Sequence, residues 1–326
     1  MAGRKKKKKK KVKIATVTIN TPYDDAFRTM VTDCRQLLIP LINLVFGKNY
    51  DANEKVELYH NERFIHHRDG TQEKRVTDSY FVIGSDMYIL ECQSSADNTM
   101  IIRITEYGFL VALEDAKFTS ENYLNMRFPR IAVLYLRSDT ADDKMTIRVE
   151  GEESDLITYA HIIKMKNFTL EDIFEKKLYI LLPFFAFNHE KDFEAYDSDP
   201  EKLEELKQEY VEILRRLNQA RDAGEIYQIY VKAIVGMIKD VIHALASKYK
   251  NVTKGVVSVM GGKVLDYEGK SIYKEGHKDG IDEDRQRVAR DMLRKNMFTL
   301  SIIAEISKLS EDVVRGIAST IGVVVK

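Results

Sequence analysis

The sequence predicts an α/β protein, a mixed central sheet flanked by helices, with a helical C-terminal extension. Three observations carry this expectation. Apolar residues at helical spacing near residue 30 precede a series of short strand-like runs between about 55 and 93. An apolar segment of helical length at 98–116 then leads to a β-branched run at 130–138. From FTLEDIFEKK, which starts at Phe168, the pattern is helical.

In the first helix, expected over 24–46, Phe27, Met30, Val31, Cys34, Leu38, Leu41, Ile42 and Val45 share one face and Gly47 closes it. Pro40 interrupts the pattern and is expected to kink or split the helix there. KVELYHNERFIHH, KRVTDSYFVI and MYILECQ read as strands. NTMIIRITEYGFLVALEDA reads as a helix capped by Asn98 or Thr99, and RIAVLYLRS as a buried strand after Pro129. KMTIRVEG and DLITYAHIIKM add two more strands. The later helices include EKLEELKQEYVEILRRLNQA, whose Leu203, Leu206, Tyr210, Ile213 and Leu217 form a stripe. Such a stripe serves an intramolecular core or a homodimer interface, the first being the usual case. The Gly-containing stretch 251–281 reads as a connector, and 282–326 as a helical tail.

Composition sets further bounds. The chain has 326 residues, 44% of them hydrophobic, and no Trp. Basic and acidic residues number 51 each, but nine of the ten residues 4–13 are basic. Without that run 42 basic residues face 51 acidic ones, leaving about −9. The run repels itself and has nothing to bury, so residues 1–13 are expected to form a disordered basic arm. It suits phosphate binding through counterion release, or a solubilising or targeting leader. No apolar h-region follows it, which argues against a secretory signal. Two cysteines, Cys34 and Cys92, do not make a disulfide framework and point to a reducing, cytoplasmic setting. The apolar run 178–187 is about half the length a membrane span needs, so no membrane is expected.

The stretch TDSYFVIGSDMYILECQ, residues 77–93, carries the chemistry. Gly84-Ser85 is a two-residue loop whose leading glycine suits a type II′ hairpin. Ile83 then faces Asp86, and the same register places Asp78 across from Glu91, with Gln93 on the face of Glu91. Opposed carboxylates repel, and a divalent cation with oxygen ligands, Mg²⁺ or Mn²⁺, would relieve them. The competing reading is a pair of solvated strand-end acids. No Cys or His cluster has zinc spacing, and adjacent His66 and His67 point to opposite strand faces.

An Asp on one strand and Glu-x-Gln closing the next, followed by a helix, resembles the metal-binding core of the PD-(D/E)XK nuclease superfamily. R-x-T-D-S-x-F at 75–81, Y-x-x-E-C-Q-S at 88–94 and R-x-x-E-Y at 103–107 are similar to the Rpn-type recombination-promoting nucleases, also described as PD-(D/E)XK family transposases. D-x-x-F-R at 24–28 and K-x-L-x-I-L-L-P-F at 176–184 extend the likeness over roughly 20–250. The resemblance implies a restriction-endonuclease-like core over 14–190 and a helical extension over 191–250. It also implies that Asp78, Glu91 and the backbone carbonyl of Cys92 hold the metal, and that Gln93 stands in the place of the superfamily's lysine and orients water. Asp24 matches an acidic position of the branch, although an acid in a first helical turn is equally well explained by the macrodipole. Arg103 and Tyr107, one turn apart, would contact phosphate, brace the carboxylates, or pack the helix on the sheet.

The expected function is metal-dependent endonucleolytic hydrolysis of double-stranded DNA that promotes recombination or accompanies mobile elements. The alternative is a DNA-binding or regulatory module that keeps the fold with feeble catalysis. In the tail, 298–317 parses as helix, turn, helix with Ser310 capping the second, either a helix-turn-helix or two helices in a small bundle.

Overall fold

The computed structural model describes residues 22–59, 62–66, 72–95 and 99–261, and in the tail 289, 292–293, 299–307 and 309–320. The basic arm, His60, His67, Asn98 and most of the expected connector lie outside these residues. The chain divides into two compact units at Met260/Gly261.

The first unit opens with α1 (Pro22–Asp33) and α2 (Leu38–Phe46), joined by a 3₁₀ turn over Arg35–Leu37. The expected single helix is therefore two, bent by 101°. The break is at Cys34, whose backbone leaves the helical region at φ −121°, ψ 37°, and not at Pro40. Pro40 falls in the first turn of α2, where its missing N–H has no intrahelical partner to lose. Gly47 ends α2 with φ 61°, its N–H on the Asn43 carbonyl.

The strands are β1 (Val56–Leu58), β2 (Glu62–His66), β3 (Gln72–Val76), β4 (Tyr80–Ile83), β5 (Asp86–Ser95), β6 (Lys117–Ser120), β7 (Tyr123–Asn125), β8 (Arg130–Arg137), β9 (Lys144–Val149) and β10 (Leu156–Lys164). Six form one sheet in the order β1-β4-β5-β8-β10-β9, so the α/β class read from the sequence is what the chain adopts. β5, β8 and β10 are parallel neighbours, and antiparallel pairs complete both edges. A parallel pair needs a crossover, which for β5 and β8 is α3 (Met100–Glu114). Thr99 precedes α3 without a side-chain cap; its carbonyl takes the N–H groups of Ile102 and Arg103. Among the described residues β2 pairs only with β3, and β6 only with β7. The β6–β7 hairpin had no strand signal in the sequence, and all its residues are exposed.

Alternation along β5 sorts the two cores. Tyr88, Leu90 and Cys92 join α1, α2 and the later helices in the larger one. Met87 and Ile89 face α3, where Met100, Ile104, Tyr107 and Val111 are buried. The larger core also takes α4 (Leu170–Glu175), the 3₁₀ segment Tyr179–Asn188, α5 (Phe193–Ser198), α6 (Pro200–Asp222), α7 (Gln228–Leu245) and α8 (Lys250–Val259). A capping box at Thr169 and Asp172 starts α4, and Asp199 before Pro200 starts α6. The stripe of α6 is consumed inside this unit, with Leu206, Tyr210, Ile213 and Leu217 buried. The stretch expected to begin an irregular connector at 251 is instead helical to Val259, with Val252, Val256 and Met260 in the core. No single helix among the described residues is long and apolar enough to cross a membrane.

In the second unit, helices Leu300–Ser307 and Glu311–Thr320 pack through Ile303, Val314 and Ala318, with Ala289 and Leu293. Ser310 caps the second helix, its hydroxyl oxygen accepting the Val313 N–H at 3.4 Å.

A candidate carboxylate site at the end of a hairpin

The hairpin has the expected register: Ile83↔Asp86 through Tyr80↔Ile89. Gly84 adopts φ +60°, as the first central residue of a type II′ turn requires. The ladder stops at Tyr80, two residues short of Asp78, so Asp78 sits in a bend before β4 rather than within the strand. The bend arises because β3 leaves the large sheet to pair with β2. Ser79 bridges the departure, its hydroxyl donating to the Leu90 carbonyl at 2.6 Å.

The bend still brings the two acids together, by a different contact. The Asp78 N–H donates to Glu91 Oε1 at 3.1 Å, and the Thr77 hydroxyl donates to the same oxygen. The Asp78 carboxylate turns to the strand, where Oδ2 accepts the Cys92 N–H at 2.8 Å. Strand alternation directs the carbonyl of Cys92 to that same edge. Oδ1 of Asp78 accepts from Arg28 Nε at 2.9 Å, with a second guanidinium nitrogen also at 2.9 Å.

Each flanking helix adds a cation, and α1 an acid as well. α1 presents Asp24 and Arg28 one turn apart, with Asp24 buried and Arg28 on Asp78. α3 presents Arg103, whose charge acts on Glu91 from the other face. Tyr107, one turn on, is buried among the apolar residues of α3 and the sheet. Gln93 lies two residues beyond Glu91, half-buried and opposite Tyr135 of β8.

Asp78 and Glu91 are each only 6% exposed. Burial raises both carboxyls, Asp78 to about 6 and Glu91 to about 8. The Cys92 N–H and Arg28 pull Asp78 back down while Asp24 pushes it up. For Glu91 the charge of Asp78 adds to burial, against Thr77 and Arg103. Burial is the largest cause for both, and it pushes Glu91 towards its protonated form near neutrality. Arg28 and Thr77 escaped the sequence reading of roles, although both stand inside the quoted motifs, Arg28 as the last residue of D-x-x-F-R and Thr77 as the residue before Asp78.

The donors suit a hard divalent cation in kind: two buried carboxylates and a backbone carbonyl. They do not form a larger ligand set, since no group of three or more His, Cys, Asp or Glu side chains among the described residues is arranged to hold a metal. Asp24 thus acts on Asp78 as a neighbouring charge. Side chains of His66 and its strand lie outside what the structure describes. No protein-family model, curated protein or solved structure matches this chain.

Proposed function

We propose that the protein is a metal-dependent DNA endonuclease of PD-(D/E)XK type, and that the cleavage promotes recombination. The observation that carries this reading is the buried Asp78–Glu91 pair at the end of a β-hairpin, with an arginine supplied by the helix on each side. Asp78, Glu91 and the Cys92 carbonyl would hold Mg²⁺ or Mn²⁺, which when bound would neutralise phosphate charge and lower the pKa of water. Glu91, pushed up by burial, must give up its proton before it can serve as a ligand. Gln93, on the Glu91 face, would orient an attacking water by accepting a hydrogen bond from it. Arg103 offers a cation for the phosphate, and Arg28 holds the Asp78 carboxylate in place. Glutamine supplies a dipole where lysine would supply a full charge, so a slow reaction is expected.

A second reading has its own support. Arg28 already engages Asp78 with two nitrogens, as it would in a fold kept for DNA binding or regulation with little catalysis. The two separate in one experiment. With supercoiled plasmid and Mg²⁺ or Mn²⁺, the nuclease cuts, EDTA stops it, and Asp78→Ala and Glu91→Ala are inactive. A binding module retains DNA equally in EDTA and cuts nothing. Equal cutting by parent and both variants removes the site assignment.

A further inference from the structure

The opposite end of the sheet holds a cavity of about 420 Å³, within the range of small-ligand sites, roughly 300–1,000 Å³. It exists because neighbouring strands start at different levels. β5 begins at Asp86 and β10 at Leu156, but β8, which lies between them, pairs with β5 only from Arg130↔Tyr88 and with β10 only from Ile131↔Ala160. A notch is left where β8 has not yet begun, lined by the approaching segment Arg127–Arg130. It lies ~17 Å along β5 from Glu91, five residues at strand rise.

The notch has an excess of positive charge. Asp86 is taken by Lys48 Nζ and the Tyr50 hydroxyl, each at 2.6 Å. Asp115 is taken by Arg127, through Nε at 3.2 Å and a second nitrogen at 2.7 Å. Arg130 therefore reaches Asp86 only at 3.7 Å, beyond hydrogen-bond length, with its side chain 45% exposed. His161 registers the resulting field: burial, then the charges of Lys144 and Arg130, push its pKa down. The notch also has flat surfaces. The His161 ring meets Phe46 edge-on at 5.0 Å, and beside it Tyr159 is half exposed. Thr158 adds a hydroxyl.

A cation and an aromatic wall lining one cavity can recognise an anion attached to a planar ring. We propose that this notch binds a nucleoside monophosphate unit, its phosphate at Arg130 and its base against Tyr159 and His161. The site stands apart from the carboxylate pair and does not depend on the hydrolytic reading. The unit is either a free mononucleotide or the 5′-phosphorylated end of a DNA strand.

Calorimetric titration of the full-length chain in EDTA tests this with deoxyadenosine monophosphate, a short 5′-phosphorylated oligodeoxynucleotide, inorganic phosphate and deoxyadenosine. The expected result is binding of a phosphorylated nucleotide at least ~10-fold tighter than phosphate or the nucleoside, the step one charge-assisted contact provides. Arg130→Ala and Tyr159→Ala should each weaken it by a similar factor at unchanged melting temperature. Preference for the oligonucleotide assigns the site to a strand end, and the reverse to a free nucleotide. The proposal falls if no probe binds, if phosphate or deoxyadenosine alone binds as well, or if both variants bind like the parent.

Discussion

Asp78 and Asp86 belong to one hairpin and differ in almost every electrostatic respect. Burial raises both, but Asp86, at the turn, has hydrogen bonds from Lys48 and Tyr50 and the charges of Lys48 and Arg130, which together hold it below the usual range. Asp78, at the open end, has Arg28 and one backbone N–H set against deep burial and the charge of Asp24, and ends above that range. The sheet thus carries a deeply buried pair of acids at one end and an excess of cations at the other. Asp86, only partly buried and bonded to both Lys48 and Tyr50, is a structural strut. An acid that deep burial pushes towards its protonated form is poised to exchange that proton for another positive charge.

The comparison can be broken most severely at Glu91. Glu91→Gln keeps the shape and removes the ionisable group, and plasmid cleavage is expected to fall about a hundredfold or more, while calorimetric binding at the notch is unchanged. Loss of notch binding in the same variant would show that the two ends are not independent. Next in size is Arg28→Ala, which leaves Asp78 buried beside Asp24 without its guanidinium. Breaking a buried pair costs roughly 3–5 kcal/mol; with a quarter of the Arg28 side chain exposed, about 2 kcal/mol is expected in urea unfolding. Asp78→Asn in the Arg28→Ala background should recover part of that loss, because the stranded charge is gone.

pH offers a sharper contrast. Glu91 is raised in the folded protein to about 8, so between the ordinary carboxylate range and that value the folded state binds more protons than the unfolded state. Stability without metal should therefore fall as pH rises from about 5 towards 8, read as a declining melting temperature in EDTA. Glu91→Gln should flatten much of that slope. Mn²⁺ affinity, read by calorimetry, should move the other way and rise over the same interval, since binding displaces the proton. The smallest effect belongs to the turn. Gly84 has φ +60° and nothing within 4 Å of an added Cβ, so Gly84→Ala carries backbone strain alone, about 1 kcal/mol. It should leave cleavage intact.

Much of this site was legible because strand pairing is arithmetic. Once Gly84-Ser85 is recognised as a two-residue loop, the pairing of Tyr80 with Ile89 follows from counting, and Glu91 and Gln93 fall on one face. The bend at Asp78 was not legible, because it depends on β3 finding a partner in β2, and local sequence does not say which strand a residue will leave. The break at Cys34 was missed for a related reason: Pro40 is a visible helix breaker, whereas the actual break answers to packing of α1 and α2 on one core. The β6–β7 hairpin buries nothing, and a strand without a buried face has no alternation to read.

By itself the sequence determined the elements and their facing sides, since hydrophobic period and turn chemistry are local properties that the chain carries wherever it folds. Tertiary structure decided the charges. Whether Asp78 or Asp86 is pushed up or held down depends on burial and on residues some 36 to 54 positions away, Arg28 and Asp24 for one, Lys48 and Tyr50 for the other. Desolvation and Coulomb terms act through space, and only the folded chain defines that space.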